Sequence, residues 1–219
     1  MTTSRTVTRF TGLERGLHFV YLLSFLTLSA TGFVLFLPQL QAWAVGPAGE
    51  LNRLVHRIAA LGLMAASVAY FWFGREQWRD SLRWILDWTR ADRDWLRPGL
   101  RFYWTGDRTG IPPQGKFNTG QKANAVVQGV CFVVFVVTGL VLWFWGGAPA
   151  WLARSSVILH DVAFLLSFGG FMVHFYLTLI HPHTREHAAA MVDGTIPEED
   201  ARVMYPRWYE RIRAPAGGD

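Results

Sequence analysis

Four of the seven histidines, His18, His56, His160 and His174, fall inside runs of otherwise apolar residues. Imidazole is a neutral nitrogen donor that can hold iron or carry a proton without bringing a fixed charge into hydrocarbon. An ionisable group at such a position is a functional-site candidate by default. His160 and His174 share one run, fourteen residues apart. On a helix that spacing separates them by about 21 Å along the axis and returns them to within about 40° of one face. One helix thus offers a ligand at each of two depths. His18 lies at the end of its run that shares a level with His174, and His56 lies at the level of His160. Two levels with two facing imidazoles each suit a pair of b-type haems with bis-histidine ligation; tetrahedral zinc would ask for four ligands at one level. Any one of these histidines alone reads as a hydrogen-bonded interior residue or part of a proton path, so the matched set carries the inference. A flat macrocycle also needs small residues beside it, and Gly32, Gly62, Gly139, Gly169 and Gly170 are available. His181, His183 and His187, in "HPHTREH", lie beyond the last run and read as solvated or interfacial side chains.

Positioning these residues takes four helices. The apolar runs 17–37, 54–73, 125–145 and 157–180 are each about 20 residues, enough to cross roughly 30 Å of hydrocarbon. The predicted spans cover 16–37, 53–74, 123–146 and 155–180, joined by a polar stretch at 75–122 and followed by a tail at 181–219. The first run exceeds the length of a signal-peptide core, so "AWA" at 42–44 is not read as a cleavage site. With 51% hydrophobic residues and eleven Trp among 219 residues, the predicted fold is all-α: one integral-membrane four-helix bundle over 1–219.

Cationic residues resist translocation. Arg5, Arg9 and Arg15 precede the first span, ten Lys and Arg lie in 74–122, and Arg185, Arg202, Arg207, Arg211 and Arg213 lie in the tail, against Arg53, Arg57 and Arg154 on the other side. The expected orientation places both termini and the long stretch in the cytoplasm. The net charge of +5 then reports topology and contact with anionic membrane lipid, and calls for no nucleic acid. Cys131, mid-span among Val and Phe, reads as a small packing residue.

Residues 75–90, "REQWRDSLRWILDWTR", set Trp78, Leu82 and Ile85 on one face, the pattern of an amphipathic helix lying at the interface. Beyond it "TGDRTGIPPQGKFNTGQKANA", 105–125, is dense in Gly and Pro, reads as a loop and leads into the third span. There Lys116, Asn118, Gln121 and the backbone at Gly115 and Gly120 stand at the level of His18 and His174, able to receive a polar head group, although residues of these types also make turns.

"GKFNTGQK" at 115–122, the pair His160 and His174, His18 following "RF", and "YPRWYERI" at 205–212 together resemble the gamma (cytochrome b) subunit of membrane-bound respiratory formate dehydrogenases, over about residues 9–212. The histidine pattern alone would also suit the cytochrome b subunit of a nickel-iron hydrogenase, and a free-standing dihaem b superoxide or quinol oxidoreductase or a histidine-based proton or metal-ion transporter is the alternative of another class. The resemblance implies a bacterial inner-membrane protein of anaerobic respiration that anchors an iron-sulfur (beta) subunit and a molybdenum or tungsten catalytic (alpha) subunit on the outer face. It implies an outer haem on His56 and His160, an inner haem on His18 and His174, and reduction of menaquinone or ubiquinone near the cytoplasmic face by a site that includes Asn118 and Gly120 with His174 nearby. No residue of this chain is expected to oxidise formate, because it has one cysteine and no room for a molybdopterin domain. The sequence departs from the pattern at "HRIAALG", where Arg57 follows His56 in place of Pro and Gly, and in the length of "RFYWTGDRTGIPPQ".

Overall fold

The computed structural model describes residues 5–214, apart from the side chains of Glu186 and His187; the expectation for His187 therefore lies outside the described residues. Among the described residues four helices are long and apolar enough to cross a membrane: α1 (Gly12–Phe36), α2 (Gly46–Phe73), α5 (Thr119–Trp143) and α6 (Ala150–Phe175), the last continuing through a π-helical turn, Tyr176–Ile180. The first two apolar runs are bounded by helix-ending chemistry. Pro38 follows α1, Pro47 sits in the first turn of α2 where its missing N–H costs nothing, and Gly74 closes α2. The stretch between α2 and α5 is more ordered than its composition predicts. It holds α3 (Arg75–Leu86) and α4 (Arg90–Thr105).

The predicted amphipathic helix thus stops at Leu86 rather than at residue 90, and α4 follows it; the Gly- and Pro-rich stretch beyond α4 is loop up to Asn118, as expected, and helical from Thr119 on. Thr89 and Asp92 form a reciprocal capping box that starts α4. Pro98 lies inside that helix, and Gly99 follows because the Trp95 ring covers it: a Cβ there would lie 2.3 Å from the indole. Leu96, Leu100 and Trp104 line an exposed stripe along α4.

The chain divides into two compact units. The first comprises Gly12–Trp78 and Val130–Gly169. Within it α1 packs on α2; Gly62 lets Ser24 approach within 3.3 Å of where a Cβ would stand, a close crossing of the kind small residues allow between membrane helices. Phe33 meets Phe164 and Phe168 edge to face at 4.9 and 5.0 Å. Cys131 is buried, as its apolar surroundings predict.

The second unit takes the residues up to Thr11, Arg79–Gly129 and the chain from Gly170 onward. The tail folds into α7 (Ala189–Asp193), α8 (Glu198–Met204) and α9 (Pro206–Arg213). A strand β2 (Thr195–Pro197) pairs antiparallel with β1 (Thr6–Thr8), Val7 opposite Ile196. Its core is Trp84, Ala190, Ile196, Ala201, Tyr205 and Trp208. Arg9 is buried in it, its guanidinium 3.9 Å from the Tyr205 ring centre and donating to the Lys116 carbonyl at 3.0 Å. Gly115 admits the Trp84 ring, which would lie 2.4 Å from any Cβ there. Arg207 pairs with Asp87 at 2.9 Å and Arg211 with Asp80 at 3.0 Å. The "PRWY" string therefore ties α9 to α3, with Trp208 as its buried anchor.

Candidate functional site

In the first unit, His56 on α2 and His160 on α6 face each other with ring centroids 6.5 Å apart and planes inclined at 51°. Two metal–imidazole bonds of about 2 Å, with about 1.2 Å more on each side from donor nitrogen to ring centre, would set coaxial imidazole centroids about 6.4 Å apart. The donor set and its spacing therefore fit bis-histidine ligation of a haem iron. Each Nδ1 is engaged at 2.8 Å: that of His56 with Thr31 Oγ1 and that of His160 with Thr138 Oγ1. Each threonine is followed by a glycine beside the same imidazole. A Cβ on Gly32 would lie 3.9 Å from His56 Cε1, and one on Gly139 would lie 3.7 Å from His160 Cε1.

Asn52, one turn before His56, donates to the Thr31 carbonyl at 3.1 Å, so α2 holds the threonine segment of α1 at two successive turns. Phe135 meets the His160 ring edge-on at 5.0 Å. Arg57, the residue that departs from the expected pattern after His56, lays its guanidinium over the Trp143 ring at 5.1 Å. Thr31, Thr138 and Asn52 were missed from sequence; a Thr-Gly pair in the middle of each of two apolar runs was the available signal.

The other two histidines are placed by their own helices. His18 lies on α1 in the first unit, and His174 lies on α6 in the second, exposed, two residues before the π-helical turn begins. Gly169 has open space about its Cα, whereas Gly170 is where α6 meets two amides of α5: a Cβ there would lie 2.8 Å from Asn124 Oδ1 and 2.9 Å from Gln128 Nε2.

The loop 115–122 separates into two roles. Asn118 caps α5: its Oδ1 accepts from the Gln121 N–H at 2.9 Å while Gln121 Oε1 accepts from the Asn118 N–H at 3.0 Å. The Asn118 side chain also hydrogen-bonds Tyr103 of α4, and a Cβ on Gly120 would stand 3.5 Å from both Asn118 Oδ1 and Tyr103 Oη and 3.4 Å from Trp95. Asn118 and Gly120 thus share one corner, with Tyr103 as a third member that the sequence did not suggest. Burial, with Tyr205 adding to it, pushes the Tyr103 hydroxyl up to about 12 against the opposing bond from Asn118; it stays a neutral donor throughout the physiological range.

Lys116 is directed elsewhere, into the second unit's core, with Nζ 3.9 Å from Asp80 and 5.5 Å from the Phe10 ring centre. Beneath the loop, Lys122 forms a fully buried ion pair with Asp92 at 2.8 Å. Burial alone would raise the Asp92 carboxyl, but the Lys122 ammonium and the hydrogen bonds from Thr89 hold it below its ordinary value. His181 corrects the expectation of a solvated ring. It is buried, with Nε2 2.6 Å from the Tyr103 carbonyl and Nδ1 3.3 Å from Thr184 Oγ1, because the π-helical end of α6 turns it onto α4. His183 remains exposed, its ring beside that of His181 at 5.4 Å.

The model of a family described as prokaryotic cytochrome b561 matches residues 9–194. The cytochrome b556(fdo) subunit of formate dehydrogenase from Escherichia coli K12 is 26% identical over 213 residues, covering 95% of this chain and 94% of its own. The nitrate-inducible cytochrome b556(Fdn) subunit from the same organism is 24% identical over 217 residues, covering 97% and 94%. A formate dehydrogenase cytochrome b556 subunit from Haemophilus influenzae is 22% identical over 202 residues, covering 88% and 77%.

Proposed function

The chain belongs to the prokaryotic cytochrome b561 family, and from that membership we propose that it is the membrane-anchoring, dihaem b electron-transfer subunit of a formate dehydrogenase. In this reading it passes electrons from an iron-sulfur subunit outside the bacterial inner membrane, through an outer and an inner haem, to quinone near the cytoplasmic face. The observation that carries the reading is the pair His56 and His160 at 6.5 Å, each on its own threonine, in a chain similar end to end to formate dehydrogenase cytochrome subunits.

A bound haem supplies one-electron exchange without proton transfer. The chain's own residues do the rest. His56 and His160, each on its own helix, would hold the outer iron. His18 and His174 are assigned the inner iron by the fourteen-residue spacing of the span that also carries His160, a pairing that rests on sequence. Quinone takes two protons with its two electrons, so its site belongs beside an aqueous phase and the last haem. We assign it to Asn118 and Gly120 with His174; Lys116 and Gln121 hold the loop in shape. Protons taken from the cytoplasm there, with electrons released outside, charge the membrane without a proton channel. The arginine-rich segments assign both termini to the cytoplasm.

The complex tests this directly. A tag on this chain should bring down, from gently solubilised membranes, an iron-sulfur protein and a molybdenum- or tungsten-containing one, and formate should reduce the haems of the purified material. Haems reduced by hydrogen and not by formate would assign it to a hydrogenase instead, and a chain recovered without partners from native membranes contradicts the reading.

The quinone assignment has its own test, made sharper by the capping role of Asn118. Asn118→Leu removes cap and amide together, whereas Asn118→Asp keeps an oxygen for the Gln121 N–H and loses the amide donor. Both variants should retain two haems, with stopped-flow reoxidation of the reduced haems by a menaquinone analogue about ten- to a hundredfold slower, the value of one directed hydrogen bond. A slow Leu variant beside a wild-type Asp variant would show that loop order, and no bond to quinone, is what Asn118 supplies.

A further inference from the structure

We infer that Thr31 and Thr138 are tautomer-setting residues that fix which nitrogen of His56 and His160 faces the iron, and thereby set the reduction potential of that haem. The inference rests on the proposed ligation of a haem by these two histidines. It comes from counting protons. A threonine hydroxyl has one hydrogen to give and lone pairs to receive with. Thr31 Oγ1 lies 2.7 Å from the Thr27 carbonyl oxygen, and Thr138 Oγ1 lies 2.6 Å from that of Val134. Two oxygens at that separation need a proton between them, and a carbonyl has none, so each hydroxyl proton is committed to the carbonyl four residues back, a bond that Ser and Thr make readily within helices.

Each hydroxyl can then only accept at its contact with the imidazole, the 2.8 Å approach of His56 Nδ1 to Thr31 and of His160 Nδ1 to Thr138. Both imidazoles must therefore carry their hydrogen on Nδ1. The consequence is that both Nε2 atoms present a lone pair, the form required of an iron ligand. The same arrangement occurs twice, on different helix pairs: Thr31 and Gly32 of α1 serve His56 of α2, and Thr138 and Gly139 of α5 serve His160 of α6. Two occurrences of one device at one site argue against chance packing. An accepting oxygen on Nδ1–H also raises the electron donation of the ring, which favours the ferric state; taking the acceptor away should favour the ferrous one.

The test uses the complete complex with Thr31→Val, Thr138→Val and both together, valine matching threonine in shape without a lone pair, and Thr31→Ser with Thr138→Ser as restoring variants. Potentiometric titration of the visible bands resolves the two haems. Each valine variant should shift the His56/His160 haem toward its ferrous form, raising its potential, while the second haem titrates as in wild type and the serine variants titrate normally. The haem should also be lost about ten- to a hundredfold faster to an apoprotein acceptor, the usual effect of removing such a support. Haem bound in normal amount with an unshifted potential in the double valine variant would overturn the inference alone. A wild-type complex without haem would instead overturn the ligation on which it rests.

Discussion

Replacing His160 by alanine should lower the haem content from two to about one per chain and abolish reduction of the remaining haem by formate on the timescale of turnover. Both consequences follow from disjoint ligand sets. His160 stands opposite His56, 6.5 Å away between ring centres, so its loss leaves a single imidazole on that iron, and the haem proposed to receive electrons first goes with it. His18 and His174 are untouched. The surviving haem should still be reduced by dithionite, which separates loss of the entry point from collapse of the protein. His56→Ala should behave in the same way, because it removes the facing ligand of the same level. If His160→Ala and His174→Ala removed the same spectral component, or if His56→Ala and His160→Ala removed different ones, the two-level pairing would be wrong. Pyridine haemochrome analysis and low-temperature spectra of purified complexes make the measurement.

Lys122→Met should cost about 3–5 kcal/mol of stability, the loss expected when one partner of a buried ion pair is removed and the other stays charged. The site leaves Asp92 no alternative. Lys122 Nζ reaches Asp92 Oδ1 and the Asp87 carbonyl, both at 2.8 Å, and both side chains are almost wholly buried. The remaining lone pairs of Asp92 are taken by the Thr119 hydroxyl at 3.1 Å and by Thr89, whose backbone N–H and hydroxyl lie at 2.8 and 3.0 Å. Such a network is stable when complete and costly when broken. Asp92→Asn should be milder, since an amide oxygen still accepts from Thr119 or Lys122. The double variant Lys122→Met/Asp92→Leu should recover most of the loss. Denaturation in an SDS titration reads the difference, and single variants within about 1 kcal/mol of wild type would show that water reaches the pair. Because Thr119 and Lys122 begin α5 and Asn118 caps it, this pair also fixes the loop to which quinone is assigned.

The spans were legible because a run of about 20 apolar residues has few other uses, and the start and end residues read from sequence came within a turn or two of the observed helices. The meeting of His56 with His160 was legible for a related reason: an imidazole in an apolar run is conspicuous, and helical geometry converts sequence spacing into depth. The threonines that support two of those histidines were not, because an isolated Thr is common in a membrane helix and bonds its own backbone there; only the tertiary contact shows that Thr31 and Thr138 have a second task. Helix α4 was hidden by Pro98 and Gly99, which mark breaks in most sequences and here accommodate the Trp95 ring. The small elements of the tail were not legible, because each is short and a three-residue strand that pairs with residues almost two hundred positions away leaves no local trace. The place of His181 beyond the span suggests a solvated or interfacial ring, and the π-helical turn that buries it has no sequence signature.

The central claim is that one chain holds two haems b, and the most direct measurement is the haem-to-protein ratio of the purified complex, by pyridine haemochrome against quantitative amino-acid analysis, with a potentiometric titration of the same sample. The account predicts two haems b per chain, titrating as two components, of which one disappears with His56 or His160. A ratio near zero, or a single component that survives both of those substitutions, would contradict it.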